Sequence, residues 1–396
     1  MVITFTNVTN LITFVIDFAF TFAIQIKSIV NFSTLNYQDI KELSVYGRYI
    51  SISQLHSFIN GNSIQKKISL IGKSVESRPI HKVTLGSGNI KILMWSQMHG
   101  NETTTTKAVL DLINYLNKNS NLTSQILSSV TLTIVPVLNP DGAVVYTREN
   151  ANKMDLNRDA LELSQPESKI LHGLYNEIKP DYCFNLHDQR TIYNVGSYAK
   201  PATLSFLAPA HDIDRKISAS RGESMKIIVA MHKALSSLLP DQIGRYDDAF
   251  NPNCIGDTIQ MLGTPTILFE AGHYPEDYER EKTREFIFYA LVKAISVIAR
   301  NKTQEYNLDD YFNIPENNKQ YFDLLLMNTH LIDNKYDENI GILYKEVLDG
   351  ESIIFDPYIE ATGSLKECFG HKYLNCSNQN DLDFLKSDRK LSQLLF

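Results

Sequence analysis

The sequence predicts an α/β fold: a single large domain with a mixed, mostly parallel central sheet flanked by helices, followed by a small C-terminal extension. Three observations carry this. Apolar strand-like runs alternate with helix-period segments between residues 64 and 298, the pattern of parallel strands joined by crossover helices. His99, His187 and Glu270 each fall just past the carboxyl end of such a run, where open α/β sheets hold their ligands. The composition is that of an ordinary globular chain, with 43% hydrophobic and 21% charged residues in 396, which excludes a disordered tail protein, a collagen-like chain and a disulfide-rich miniprotein.

The elements follow in chain order. Residues 51–60 have helical spacing through Ile52, Leu55 and Ile59. Runs at 64–71, 81–85 and 90–97 read as strands, with Gly72, Gly86 and Gly88 marking turns. A helix follows, with Val109, Leu112, Ile113 and Leu116 on one face. Residues 130–138 read as a strand that ends in the turn Asn139-Pro140-Asp141-Gly142. Residues 182–186 form a short strand, 225–239 a helix, 266–269 a strand and 281–298 a long helix. Beyond residue 300 the text turns polar, then shows strand-like runs at 338–347 and 351–358. The boundaries read as an apolar N-terminal segment at 1–37, a main domain at 38–300, and an extension of unknown role at 301–396.

The N-terminal segment pulls two ways. Residues 11–26 are mostly apolar, but Asp17 interrupts them. A bilayer span needs about 20 apolar residues, and an Asp at mid-span costs about 2.5–3.5 kcal/mol. A signal peptide wants a basic start, and the first Lys is Lys27. The alternatives are a start codon assigned too early or a loosely packed helix. Membrane association is expected only through residues 8–26. The reading favours the cytoplasm over a membrane-anchored or exported form, and Cys183, Cys254, Cys368 and Cys376 fit a reducing compartment. With 38 basic and 45 acidic residues the net charge is −7, which argues against a nucleic-acid partner.

The chemistry begins at His99 and Glu102. In H-x-x-E spacing, an imidazole and a carboxylate can converge on one ion, and two His plus one Glu is a known catalytic zinc set. His187 is the best candidate for the third ligand, whereas the H-E-x-x-H motif is absent. Arg148 and Arg158 lie in an irregular stretch rich in amides, and an arginine grips a carboxylate with two parallel hydrogen bonds. Glu270 ends an apolar strand, so desolvation should raise its pKa and suit it to general-base work.

Together these residues resemble the M14 zinc carboxypeptidase family. The matching segments run in family order: Ile71-Gly72-Lys73-Ser74-Val75 with Ser77-Arg78-Pro79-Ile80, then His99-Gly-Asn-Glu102, then Asn139-Pro-Asp-Gly142. After them come Thr147-Arg148-x-Asn150-Ala151, Asp155-Leu-Asn157-Arg158-Asp159, Asn185-Leu-His187 and Phe269-Glu270-Ala-Gly272. The resemblance implies one Zn2+ per chain held by His99, Glu102 and His187, with Glu270 as the glutamate that activates the attacking water. It implies that Arg148 polarises the scissile carbonyl and that Asn157 and Arg158 grip the substrate's C-terminal carboxylate. It also implies an α/β domain around an eight-stranded mixed sheet, here at 38–300, and a substrate that is a peptide or an N-acyl amino acid with a free carboxylate.

Some positions depart from the pattern. The family usually carries a tyrosine about twenty residues before the glutamate, and Tyr246 is the nearest option. If Asp257 is the family's shared aspartate, Gly256 precedes it and offers no charge for reading a side chain. The alternative function is a zinc amidase or deacylase of the aspartoacylase type, or a cell-wall peptide amidase; the segments at 139–142 and 148–151 favour the peptidase. A serine acylase at Ser197-Tyr-Ala-Lys200 lacks its partner motifs. Cys368-x-x-His371-x4-Cys376 has odd spacing for a metal site. His273 reads as a surface or pocket-lining residue, and Asp188 as a support for His187 or another ligand, or as a solvated acid. The glycosylation-type match Asn101-Glu-Thr103 sits inside the candidate site and reads as accidental.

Overall fold

The computed structural model describes Phe32, residues 35–60, Ile64, residues 67–118, 120–336 and 338–396. The apolar stretch 8–26 lies outside the described residues. Among those described, no helix is long and apolar enough to cross a membrane.

The main body is an eight-stranded sheet. Its strands are β1 (Ile68–Lys73), β2 (Pro79–Gly86), β3 (Ile90–Ser96), β4 (Val130–Val135), β5 (Tyr182–Asp188), β7 (Leu204–Leu207), β8 (Ile243–Arg245) and β9 (Thr266–Ala271), in the order β1-β2-β4-β3-β5-β9-β7-β8. The short β6 (Tyr193–Val195) lies outside it. β4, β3, β5 and β9 run parallel as a central block. β1, β2 and β4 pair antiparallel at one edge, and β7 is antiparallel to β9 at the other. The sheet is therefore mixed with a parallel centre.

Burial on both faces explains the continuous apolar runs. On β3, Ile92 and Met94 enter one core while Leu93 and Trp95 enter the other, the period of two that a pleated strand imposes. The larger core is covered by helices α2 (Thr104–Asn117), α6 (Ala219–Leu235) and α8 (Glu281–Ala299). The smaller core is covered by α5 (Pro166–Ile178) and α7 (Ile255–Met261). The main body also carries α1 (Ile52–Asn60), α3 (Asn121–Ser129) and α4 (Pro140–Val145). The strand expected at 130–138 stops at Val135 because Pro136, with no N–H, cannot continue the ladder. The helix expected at 225–239 starts earlier, at Ala219, where the Ser218 side chain caps it.

One buried ion pair ties the helical layer together. Arg284 on α8 donates from Nε and Nη2 to the two oxygens of Asp111 on α2, at 2.7 Å each, and both side chains are wholly buried. Tyr37 O–H (2.6 Å) and the Glu42 N–H (2.7 Å) also donate to Asp111. Arg284 Nη1 donates to the Val45 carbonyl at 3.0 Å. The segment 37–47 is thus clamped over two helices by one satisfied network.

After α8 the chain stays with the large sheet, because Tyr311 and Ile314 are buried in its core. β10 (Asn317–Lys319) then pairs with β6. A second sheet follows, of β11 (Tyr321–Met327), β12 (Asn339–Asp349), β13 (Ser352–Gly363) and β14 (Phe369–Asn375), in the order β13-β12-β11-β14. It builds its own core from Leu324, Leu326, Ile340 and Ile342, with Leu385 and Leu391 of α9 (Gln379–Ser387) and α10 (Arg389–Leu395). Polar contacts fasten it to the main body: Tyr278 O–H donates to Asp323 (2.8 Å), and His371 Nε2 lies 2.8 Å from the Thr191 carbonyl.

The clamp yields a stability prediction. Asp111→Ala takes the two-oxygen partner from a buried guanidinium, leaves it only the Glu281 carboxylate at 3.0 Å, and should lower unfolding free energy by about 3 kcal/mol. In urea unfolding, an Asp111→Leu, Arg284→Met double variant should lose less than Asp111→Ala alone.

Candidate metal centre and active site

Local folding gathers the site at the carboxyl ends of β3, β5 and β9. After β3 the chain reverses through Gln97, whose backbone is left-handed (φ 49°). Gly100 then passes so close to α4 that a Cβ there would lie 2.0 Å from the Gly142 carbonyl carbon; only glycine fits. The turn at 139–142 is the other half of that fit. Asn139 Nδ2 donates to the Met98 carbonyl (3.2 Å), while its Oδ1 accepts the Gly142 N–H (2.9 Å) and so caps α4. Asp141 is held by Ser74 Oγ (2.7 Å) and Arg78 Nη1 (2.6 Å). The motifs around residues 74–78, 99–102 and 139–142 are therefore one packed unit that aims His99.

The predicted ligands converge. His99 Nδ1 lies 2.7 Å from Glu102 Oε1, His187 Nδ1 lies 2.8 Å from Glu102 Oε2, and the two Nδ1 atoms are 3.1 Å apart. All three residues are buried, and they form the one metal-capable cluster of His, Cys, Asp and Glu among the described residues. On the far side of the ring, His99 Nε2 is 3.0 Å from Asp155 Oδ1. With the proton on Nε2, Asp155 accepts it and Nδ1 keeps its lone pair. Arg148 Nη1 is 3.2 Å from that same Nδ1, which fits the tautomer. Burial alone would raise the Glu102 pKa, but the His99 and His187 charges hold it well below the carboxylate range. Two imidazole nitrogens facing each other across an ionised carboxylate make a donor set for a cation, and two nitrogens and an oxygen fit Zn2+.

Glu270 sits beside His187 in register on β9. Burial, then the Glu102 and Asp188 charges, push its carboxyl well above the usual range, as the sequence leads one to expect. Arg148 also binds Asp155, at 3.1 Å from Nε. Asn157 Oδ1 accepts the Ile255 N–H (3.1 Å), and Arg158 Nη1 contacts Cys254 Sγ (2.9 Å). Arg158 makes no ion pair among the described residues. Tyr246 shares a 3.0 Å hydroxyl contact with Tyr193, and burial followed by the Glu270 charge raises its pKa. The metal-capable residues, Arg148, Asn157, Arg158, Tyr246 and Glu270 all line one cleft of about 990 Å³.

The structure places three minor candidates. Asp188 supports a ligand other than His187, and through its backbone: its N–H donates to Glu102 Oε2 (3.1 Å), while its carboxylate accepts the N–H groups of Thr104 (2.8 Å) and Thr105 (3.1 Å), capping the start of α2. His273 is neither exposed nor in the cleft; it is 1% exposed, and its ring lies 4.2 Å from that of His371. Cys368, His371 and Cys376 do not gather, because Cys376 is buried in the apolar core of the second sheet and His371 turns to Thr191. Sequence reasoning missed the positioning contact of Asp155 and the cleft residues Arg48, Tyr193, Arg280 and Glu346. The D-x-N-R motif contains Asp155, but nothing in its spacing reveals the His99 contact.

A prediction follows from the donor geometry. Glu102→Gln should reduce bound zinc, read by elemental analysis after dialysis, while the circular dichroism spectrum stays native. Asp155→Ala should weaken zinc affinity by about 10–100-fold, since it removes the positioning contact and leaves the ligands in place.

The zinc carboxypeptidase family model (M14) matches residues 53–214. Carboxypeptidase SOL1 of Arabidopsis thaliana is 32% identical over 143 residues, 31% of this chain and 29% of that protein. Carboxypeptidase D of Mus musculus is 30% identical over 166 residues, 35% of this chain and 12% of that protein. The chain thus spans less than a third of the length of these curated relatives. Among solved structures, a metallo-carboxypeptidase from Burkholderia cenocepacia superposes with a TM-score of 0.53 at 18% identity, covering 64% of this chain and 70% of that one. Carboxypeptidase A from Helicoverpa armigera gives 0.52 at 17% identity, covering 71% and 78%. The fold is that of these enzymes, and residues 53–214 carry the similarity to the M14 zinc carboxypeptidase family.

Proposed function

We propose that the chain is a zinc-dependent carboxypeptidase that hydrolyses the last peptide bond of a substrate with a free C-terminal carboxylate. One observation carries this reading: the buried His99–Glu102–His187 set, Glu270 and Arg158, which makes no ion pair among the described residues, open on one cleft.

His99, Glu102 and His187 would hold the ion. A bound zinc supplies a Lewis acid and lowers the pKa of water toward ~7. The remaining chemistry belongs to side chains. Arg158, with Asn157 beside it, grips the terminal carboxylate by charge-assisted hydrogen bonds and fixes the scissile bond in the cleft. Glu270 takes a proton from the attacking water and returns it to the leaving amine; its raised pKa suits a group that must hold that proton between steps. Arg148 aims at the same point as the ligand atoms and stabilises the charge that develops on the carbonyl oxygen. Tyr246 and Tyr193, their hydroxyls 3.0 Å apart, line the same cleft. The carboxypeptidase relatives support this reading over the amidase and deacylase alternatives. Cytoplasmic residence is part of the same reading, supported by four free thiols.

Hydrolysis of blocked dipeptides tests the proposal. Chelator-sensitive release of the last residue from free acids, but not from their amides, is expected; equal cleavage of both would refute it. Glu270→Gln should lower turnover by about 10²–10⁴-fold with zinc content unchanged. Arg158→Gln should raise KM for free acids and narrow the gap between acid and amide.

A further inference from the structure

The cleft has two ends, and contacts fix their order. Asn157, Arg158 and Cys254 form one end. Asp155 links that end to His99 and Arg148. Beyond the metal-capable residues, Glu102 Oε2 accepts the Asp188 N–H (3.1 Å), and the next residue, Thr103, donates to the Arg48 carbonyl (2.7 Å). Arg48 Nη2 then binds both oxygens of Glu346 on β12, at 2.7 and 2.8 Å. The second end is therefore built partly by the second sheet, with Lys345 and Tyr358 on its wall.

Positive charge prevails there. Arg280 lines the cleft, yet it is only 1% exposed. Its Nη1 donates to the Ala271 carbonyl (2.6 Å), its Nε has no partner, and it makes no ion pair among the described residues. The acids that act on it, Asp188 and Glu346, are already engaged, the first by Thr104 and Thr105, the second by Arg48 and Tyr146. Burial, then the Arg48 charge, lowers its pKa to about 10, so it stays a cation at neutral pH. Arg190 and Lys345 add two exposed cations on the same side, Arg190 donating to Tyr358 Oη at 3.1 Å. A buried guanidinium without a counterion is unfavourable, and a carboxylate is the group that satisfies it.

We propose that this end is a subsite for a carboxylate on the acyl side of the scissile bond, so that the preferred substrates are short peptides with an acidic residue at the second-last or third-last position. The inference rests on the carboxypeptidase reading: with the terminal carboxylate at Arg158, the acyl portion must run past the metal-capable residues toward Arg280.

The zinc-loaded full chain is assayed with two matched pairs: acetyl-Glu-Phe against acetyl-Gln-Phe, and acetyl-Glu-Ala-Phe against acetyl-Gln-Ala-Phe. In at least one pair the glutamate peptide should have a kcat/KM about tenfold or more above its partner, as befits a charged hydrogen bond. That ratio should fall toward one in Arg280→Gln and in an Arg190→Gln, Lys345→Gln double variant. Because both peptides are compared on one preparation, the ratio does not depend on the fraction folded, and the exposed double variant stands in if Arg280→Gln fails to fold. Brisk turnover of both glutamine peptides with ratios near one overturns the subsite, as does a high ratio that neither variant reduces. Silence on all four peptides rejects the carboxypeptidase reading, and the subsite with it.

Discussion

Two imidazole nitrogens 3.1 Å apart share one buried carboxylate, and the other features of the site are arranged around that encounter. Lone pairs pointed at each other in a dry interior repel unless a cation lies between them. To create the encounter, β3, β5 and β9 must end side by side in parallel. The turn after β3 must also be pressed against α4 closely enough that only Gly100 fits. Asp155 completes it by occupying the outer face of the His99 ring.

The scaffold answers that demand with rigidity. Both faces of the central strands are packed, so the strand ends have little freedom to drift. The Asp111–Arg284 network clamps α2, which follows the His99–Glu102 loop, to α8, which follows Glu270. The second sheet has a core of its own, but Glu346 reaches Arg48 and brings the sheet to the mouth of the cleft. One end of the cleft thus rests on the main body and the other on both units.

Much of this was legible in the sequence, for identifiable reasons. Long runs with a clear period gave α2, α8 and the central strands, because burial on one stripe or both faces leaves a regular mark. His99, Glu102, His187 and Glu270 were legible because the first two follow β3, the other two lie at the carboxyl ends of β5 and β9, and the segments resemble the family's in order. Less regular pieces escaped. α3 is short and rich in Ser, Thr and Asn; the Ser120 capping box marks its start, and its apolar face is only Leu122, Ile126 and Leu127. Arg48, Arg280 and Glu346 lie far apart in sequence, so no spacing joins them, and only folding shows that they share a wall. The side-chain partners of Asp188 and His273 escaped because a lone acid or histidine carries no sign of them. In the structure one caps a helix and the other is enclosed by Tyr278 and His371.

The most direct measurement of the central claim is X-ray absorption at the zinc edge on the purified full chain, with the metal content determined on the same sample. The account predicts one zinc per chain in a shell of nitrogen and oxygen at about 2.0–2.2 Å with imidazole scattering. A sulfur shell near about 2.3 Å, or a chain that takes up no stoichiometric zinc, would contradict it.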